Sequence, residues 1–176
     1  AKERHHVPRF IVVGAGTGGT SATIGRYTRY RQFDTTLCVA DPEGSVFGAY
    51  WRTGDVTLKG AGSRIEGIGR PQVEPSFIRT LVDRLLEVKD VESVAGMRSL
   101  SALLGRRVGP SSGTNFVAML TLADELKRAG ETGSVLSLLC DAGERYLPTF
   151  HDAAWVKANI GDCSAAEATL QRLLSP

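Results

Sequence analysis

An apolar run that ends in a dense glycine turn constrains this chain more than any other stretch. Ile11-Val12-Val13 runs directly into Gly14-Ala15-Gly16-Thr17-Gly18-Gly19-Thr20, and a pattern able to form a helix follows from Ser21 to Arg31. A strand, a glycine turn and a helix start in that order make an anion pocket. Glycines let backbone N–H groups approach a ligand closely, and the free amides and positive dipole end of a helix favour a phosphate. The dipole alone supplies only about 0.3–1 kcal/mol per charge. Convergent amides and the Thr17 and Thr20 hydroxyls therefore have to supply the rest. The stretch points to a phosphate-bearing small molecule.

Two chemistries fit the turn. Gly14, Gly16 and Gly19 satisfy G-x-G-x-x-G, the dinucleotide fingerprint, and Asp41 ends the next apolar run, Thr36 to Ala40, where a ribose-binding carboxylate belongs. The tighter signature Gly16-Thr17-Gly18-Gly19-Thr20 resembles the phosphate loop of the fold-type-II pyridoxal-phosphate enzymes. The bland reading is a turn that merely links a strand to a helix, and residues further along have to decide.

A length of 176 residues suits one domain with a real core. A balance of 21 basic against 19 acidic residues is too even to imply nucleic acid, and no apolar run approaches membrane-spanning length. Cys38, Cys140 and Cys163 are odd in number and form no C-x-x-C, which argues against a disulfide framework and a zinc site. That usage fits a reducing compartment, and the expected location is the cytoplasm. The chain opens on Ala1 without a methionine, which fits either processing or the later part of a longer polypeptide.

Along the chain, Ala1 to Pro8 reads as a leading linker with His5 and His6 exposed. The interleaved Arg26, Tyr27, Arg29, Tyr30 and Arg31 read as a solvated helix face. Thr36 to Asp41 is a second buried strand, completing a βαβ unit with parallel strands. Periodicity fails from Pro42 to Pro75, a long loop of the kind that is functional or mobile. Phe77 to Leu86 is expected to be a short amphipathic helix, with a short strand at Val88. Asp90 is the expected N-cap of a helix to about Leu104, closed by Gly105. Gly109-Pro110-Ser111-Ser112-Gly113-Thr114-Asn115 is a second glycine and hydroxyl turn opening a helix to about Ala129. Ser134 to Cys140 is an apolar strand, and Asp152 to Pro176 one or two short helices.

Four spaced features stand together: Gly16 to Thr20, Gly67-Ile68-Gly69, Ser111-Ser112-Gly113, and Asp141-Ala142-Gly143-Glu144-Arg145-Tyr146. A dinucleotide-binding module explains only the first. In order and approximate separation, and with Asp41-Pro42-Glu43-Gly44-Ser45, they resemble the second half of the fold-type-II pyridoxal-phosphate enzymes of the cysteine synthase and cystathionine β-synthase group. The wording of Gly16 to Tyr27 and of Ile65 to Pro71 is similar to actinobacterial cysteine synthase-like proteins. The resemblance spans most of Phe10 to Tyr146.

The resemblance implies roles. Gly16, Thr17, Gly18, Gly19 and Thr20 would hold the phosphate of pyridoxal 5'-phosphate, and Ser111 would hydrogen-bond its pyridine nitrogen. Gly67, Ile68 and Gly69 would form a substrate loop at the mouth of the site, and Asp141 to Tyr146 would buttress the cofactor's edge. Ser111 alone would read as a helix N-cap. The implied fold is α/β: a mainly parallel sheet flanked by helices, the larger domain of the fold-type-II (tryptophan synthase β-like) fold. Residues 1–150 would be the carboxyl-terminal part of that domain, with 151–176 a helical tail packing on it.

One departure stands out. The family's Schiff-base lysine sits in a serine-x-lysine motif, and none of Lys2, Lys59, Lys89, Lys127 or Lys157 has that context. The second loop that binds the substrate carboxylate in the family is also missing. The expectation is therefore an incomplete part of an enzyme, without the catalytic lysine and inactive alone. The intact protein would join an activated serine, O-acetylserine or O-phosphoserine, to a sulfur nucleophile to give cysteine or an S-substituted cysteine, with an L-cysteine desulfhydrase of the same family as the alternative. It would be a cytoplasmic homodimer acting on a small amino acid and a sulfur donor, with no metal, nucleic acid or membrane involved. A nucleotide-binding module and a non-catalytic homologue are the alternatives from other classes.

Overall fold

The computed structural model describes residues 7–175, so His5, His6 and most of the expected leading linker lie outside the described residues. Four parallel strands, β1 (Phe10–Gly14), β2 (Thr36–Pro42), β3 (Arg84–Val88) and β4 (Val135–Ser137), form one sheet in the order β3-β2-β1-β4. In β1 the residue Val12 lies opposite both Cys38 and Ser137, and Ala40 of β2 lies opposite Leu86. The expected parallel α/β sheet flanked by helices is what forms.

The helices are α1 (Gly19–Tyr30), α2 (Phe47–Thr53), α3 (Asp90–Leu104), α4 (Pro110–Ala129), α5 (Ala153–Asn159) and α6 (Ser164–Leu174). Strand alternation sorts the core. Phe10, Val12, Cys38 and Ala40 point to one face and meet Ala118, Leu122 and Leu126 of α4. Val39 points to the other face, where it joins Ala15, Val46, Phe47, Phe77 and Val82. Strands buried on both sides read as continuous apolar runs, which is why Ile11 to Val13 and Leu37 to Ala40 show no alternation. A third cluster, with Ile65, Val94, Met97, Tyr146 and Val156, ties the middle of the chain to α3 and α5, and Leu170 of α6 packs with Ala95 of α3 and Phe116 of α4. No helix among the described residues is long and apolar enough to cross a membrane.

Several local expectations are corrected. Phe77 to Leu86 is not a helix: it is a single 3-10 turn, Arg79–Leu81, followed by β3. Arg84 to Val88 pairs along its length with β2, and that ladder outweighs a weak helical period in so short a run. The stretch Pro42 to Pro75 is not all loop, because it contains α2, whose Phe47 stacks on Phe77 with ring centroids 4.2 Å apart. Asp90 is the first residue of α3 and not its cap; Lys89 holds the cap position, and the Glu92 carboxylate accepts from its backbone N–H at 2.9 Å. β4 stops at Ser137, three residues short of the expected end: its ladder with β1, its one partner among the described residues, ends at the Val12–Ser137 pair although β1 runs on to Gly14. Leu136, Leu138 and Leu139 are left exposed there.

Phe77 joins fold to site, since it is buried against Phe47 and its backbone lies under the glycine turn. Replacing it with alanine is expected to cost about 3–5 kcal/mol, the range for a fully buried aromatic. Tyr30→Ala, at an exposed position, is expected to cost less than about 0.5 kcal/mol. Urea unfolding of the two variants checks the contrast, and equal losses would mean that the Phe47–Phe77 stack is not a centre of stability.

Candidate cofactor site

The strand order places the site. From central β1 the chain moves out to β2 and β3, then returns to the other side of β1 for β4. The order reverses between β1 and β4, and a crevice opens there beyond the carboxyl ends of both strands. A cleft of about 820 Å³ lies at that point. One wall is Gly14 to Ser21, continuing into Thr23 and Ile24 of α1; the opposite wall is Leu138, Cys140, Asp141, Arg145 and Tyr146. Glu66, Gly67 and Ile68 close one side, and Ser111 and Asn115 of α4 form the floor.

The glycine turn is shaped for an anion. Gly18 takes the N-cap position of α1 in the left-handed conformation, φ 90°, and a Cβ there would lie 2.5 Å from the Cα of Phe77. Only glycine meets both demands. None of the N–H groups from Gly16 to Thr20 donates to a protein acceptor among the described residues, and no side chain caps the helix. The first turn of a helix leaves such donors unpaired, and a row of them is an anion cradle. The Ser21 hydroxyl donates to the Gly18 carbonyl at 2.9 Å and braces the turn from behind.

The Gly67-Ile68-Gly69 loop lies directly against this turn. The Gly69 N–H donates to the Ala15 carbonyl at 2.8 Å, and the Gly67 carbonyl oxygen would lie 2.5 Å from a Cβ on Gly16. Gly67 and Ile68 line the cleft, whereas Gly69 does not and pins the loop from outside. Across the mouth, the Glu66 carboxylate pairs with the Arg145 guanidinium, which also lies 5.3 Å from the Tyr146 ring centre. Tyr146 donates its hydroxyl proton to Asp141 Oδ2 at 2.7 Å. Burial and that acceptor together push the Tyr146 phenol well above its ordinary value.

The two serines of the S-S-G motif have separate tasks. Ser112 Oγ accepts from the Cys140 N–H at 2.9 Å and holds the segment after β4. Ser111 is buried at the start of α4, lines the cleft, and its hydroxyl has no protein partner among the described residues. The helix N-cap is Gly109, so Ser111 is not a cap. Gly16 to Thr20, Gly67, Ile68, Ser111, Asp141, Arg145 and Tyr146 therefore meet in one cleft, while Gly69, Ser112, Gly113 and Ala142 to Glu144 support it from outside the lining. Glu66, Asn115 and Cys140 also line it, and sequence reasoning gave them no role; Arg145 lines it as part of the Asp141 to Tyr146 segment. Glu66 and Arg145 were adjacent to or inside quoted motifs; Asn115 carried only its place at the end of the second glycine and hydroxyl turn.

Asp41 has no part in the cleft. It is buried, its Oδ2 accepts from the Gly48 N–H at 2.8 Å, and it serves the start of α2. That removes the ribose-binding carboxylate required by the dinucleotide reading. Lys59 is also outside the cleft, with Nζ 3.4 Å from Gln72 Oε1, and no lysine lines the cleft among the described residues.

A family profile described as "Pyridoxal-phosphate dependent enzyme" matches residues 1–141. The chain belongs to that family. It is 52% identical over 171 residues to the L-cysteine desulfhydrase Cds1 of Mycobacterium tuberculosis, covering 96% of this chain and 46% of that protein. Cysteine synthase 2 of Schizosaccharomyces pombe is 32% identical, with 85% and 40% covered. Among solved structures, an O-acetylserine dependent cystathionine beta-synthase from Helicobacter pylori superposes with a TM-score of 0.65 at 32% identity, covering 81% of this chain and 43% of that one. The chain spans less than half the length of these relatives. The family's enzymes use pyridoxal 5'-phosphate and act on small amino-acid substrates, and the fold is that of the fold-type-II group.

Asp41 yields a pH prediction. Burial pushes its carboxyl up to about 6, against about 4 for an unfolded aspartate. The folded chain therefore favours the protonated form, and this group's stabilising effect is full below about pH 4 and lost as the pH rises through 6. Relative to Asp41→Asn, the wild-type chain is expected to lose about 2–3 kcal/mol between pH 4 and 7. Urea unfolding at each pH measures it, and a constant gap between the two proteins would show that Asp41 does not titrate in that window.

Proposed function

We propose that this chain supplies the cofactor-phosphate side of the active site of a pyridoxal-phosphate enzyme of cysteine metabolism. The observation that carries the reading is the row of unpaired N–H groups from Gly16 to Thr20, facing a cleft that also holds the free Ser111 hydroxyl. Those residues fit the group. The five residues of the turn would bind the phosphate through amides and the Thr17 and Thr20 hydroxyls, and the Ser111 hydroxyl would donate to the ring nitrogen. A neutral hydroxyl there leaves that nitrogen largely unprotonated. The chemistry the cofactor supplies when bound is an electron sink for the substrate's α-carbon, and a weaker sink suits elimination and replacement at Cβ over transamination. The Gly67 loop and the Asp141 to Tyr146 wall would exclude water and hold the amino acid between them.

The lysine that carries the cofactor in such enzymes is proposed to lie outside these 176 residues, consistent with a cleft that no described lysine lines. The favoured reaction of the intact protein is release of sulfide from L-cysteine: L-cysteine and water give pyruvate, ammonia and hydrogen sulfide. Identity of 52% to a desulfhydrase supports that direction. The replacement reaction, in which sulfide displaces acetate from O-acetylserine to give cysteine, is supported by the cysteine synthase relatives at lower identity. A dimer and a cytoplasmic site of action belong to the same proposal.

Two measurements test it. Titration of the chain with pyridoxal 5'-phosphate, followed by borohydride reduction and peptide mapping, is expected to show binding competed by inorganic phosphate and no single lysine labelled. Exclusive labelling of Lys59 or another lysine would put the Schiff-base residue inside this chain. For the intact protein loaded with cofactor, sulfide release from L-cysteine is expected to exceed cysteine formation from O-acetylserine and sulfide. The opposite ratio would make replacement the function.

A further inference from the structure

The fold gives the three cysteines of this chain different fates. Cys38 is buried in β2 beneath α4, and Cys163 is buried at the start of α6. Burial pushes the Cys38 thiol up to about 12 and moves the Cys163 thiol the same way, so neither offers a ready thiolate at neutral pH. Cys140 is exposed, carries no disulfide and lines the cleft. Its Sγ lies 3.5 Å from Asn115 Nδ2 and 3.9 Å from the Leu138 carbonyl oxygen, and both of those residues line the cleft as well. Neither of the other cysteines lines it, so no internal partner for a disulfide stands there.

The wall that carries this thiol is built to meet a ligand. Ser111, 4% exposed, lines the same cleft, and its hydroxyl has no protein partner among the described residues. Cys140 stands close by: its N–H donates at 2.9 Å to Oγ of Ser112, the next residue of α4. A group attached to the sulfur would fill the space beside Ser111. Glu66 and Arg145 set one charge of each sign at the mouth, complementary to the ammonium and carboxylate of an amino acid.

We propose that Cys140 is a reversible modification site: it exchanges with a small amino-acid disulfide, and the cysteinyl group left on it blocks the cofactor from the cleft. This rests on the proposed cofactor site and adds a means of closing it. Cys140 Sγ, as the thiolate, attacks one sulfur of L-cystine. The S–S bond of cystine breaks as the new one forms, and the second cysteine leaves as a thiolate that takes up the proton Cys140 gave up. The Cys140 sulfur is oxidised, the departing sulfur is reduced, and the disulfide is the only oxidant required.

The 176-residue chain is treated with L-cystine, and the adduct is located by peptide mapping without reductant. One cysteinyl group on Cys140, released by dithiothreitol, is expected; no uptake, or uptake on Cys38 or Cys163 as fast as on Cys140, would overturn the proposal. Pyridoxal 5'-phosphate binding, followed by fluorescence, is expected to fall in proportion to the fraction modified and to return with dithiothreitol. Unchanged binding by the fully modified chain would overturn it, as would a cystine-dependent loss of binding in Cys140→Ser. With pyridoxal 5'-phosphate at about ten times its dissociation constant, roughly one cleft in eleven is empty, so modification is expected to slow about tenfold. An unchanged rate would show that the thiol lies clear of the cofactor and would overturn the block. Failure of the untreated chain to bind pyridoxal 5'-phosphate would instead overturn the cofactor site itself, and the mapping would still decide whether Cys140 is the thiol that exchanges.

Discussion

The close approach of two backbone segments, the turn after β1 and the Gly67 to Gly69 loop, is the constraint on which the rest of the structure depends. The Gly69 N–H bonds the Ala15 carbonyl, and no side chain fits between Gly16 and the Gly67 carbonyl. Below the turn, the Phe77 backbone fills the space a Gly18 side chain would need. A turn trapped between two walls cannot fold over to satisfy its own amides. Its N–H groups are left at the cleft without internal partners, which suits the turn to the phosphate-binding role proposed for it.

The helix α4 shows how one element divides its tasks. Its apolar residues Ala118, Leu122 and Leu126 pack on the sheet, while its first two turns carry Ser111, Ser112, Thr114 and Asn115, all buried. Buried polar groups persist when they are bonded. Thr114 donates to Ser93 of α3 at 2.8 Å, Ser112 receives the Cys140 N–H, and Asn115 holds the Leu138 carbonyl. The Ser112 and Asn115 bonds take over from a sheet ladder that ends at Ser137, and an antiparallel bridge between Val108 and Ala142 holds the wall bearing Asp141 from the segment before α4. Ser111 remains outside that scheme and lines the cleft.

Charge around the cleft is small and local. Glu66 and Arg145 neutralise each other across the mouth, and both are more than half exposed, so the pair contributes on the order of 0–1 kcal/mol to stability. In the proposed role, attraction for a phosphate would therefore come from oriented amides. Amides need no counter-ion, and they hold their direction because the backbone carrying them is packed on both sides.

The parallel sheet, the phosphate loop after β1 and the helix start at Ser111 were legible in the sequence because each rests on a local rule: a buried apolar run, glycines where backbone must come close, a hydroxyl beside a helix start. The missing serine-x-lysine context was legible in the same way. The helical reading of Phe77 to Leu86 failed because pairing with β2, fixed by residues more than forty positions earlier, outweighs a short local period. α2 was missed since Phe47 to Thr53 is a short helix whose stability comes from Phe77 and the sheet, beyond any local window. Asp41 looked like a ribose ligand by spacing alone, and only the packing of α2 over β2 turned it into a buried backbone acceptor. The sequence by itself determined which chemistry-bearing residues the chain owns and which backbone positions need glycine, since those follow from side-chain identity and local sterics. The tertiary structure alone decided which of them meet, because the reversal of strand order at β1, and with it the cleft joining residues 14–24, 66–68, 111–115 and 138–146, is set by long-range strand pairing.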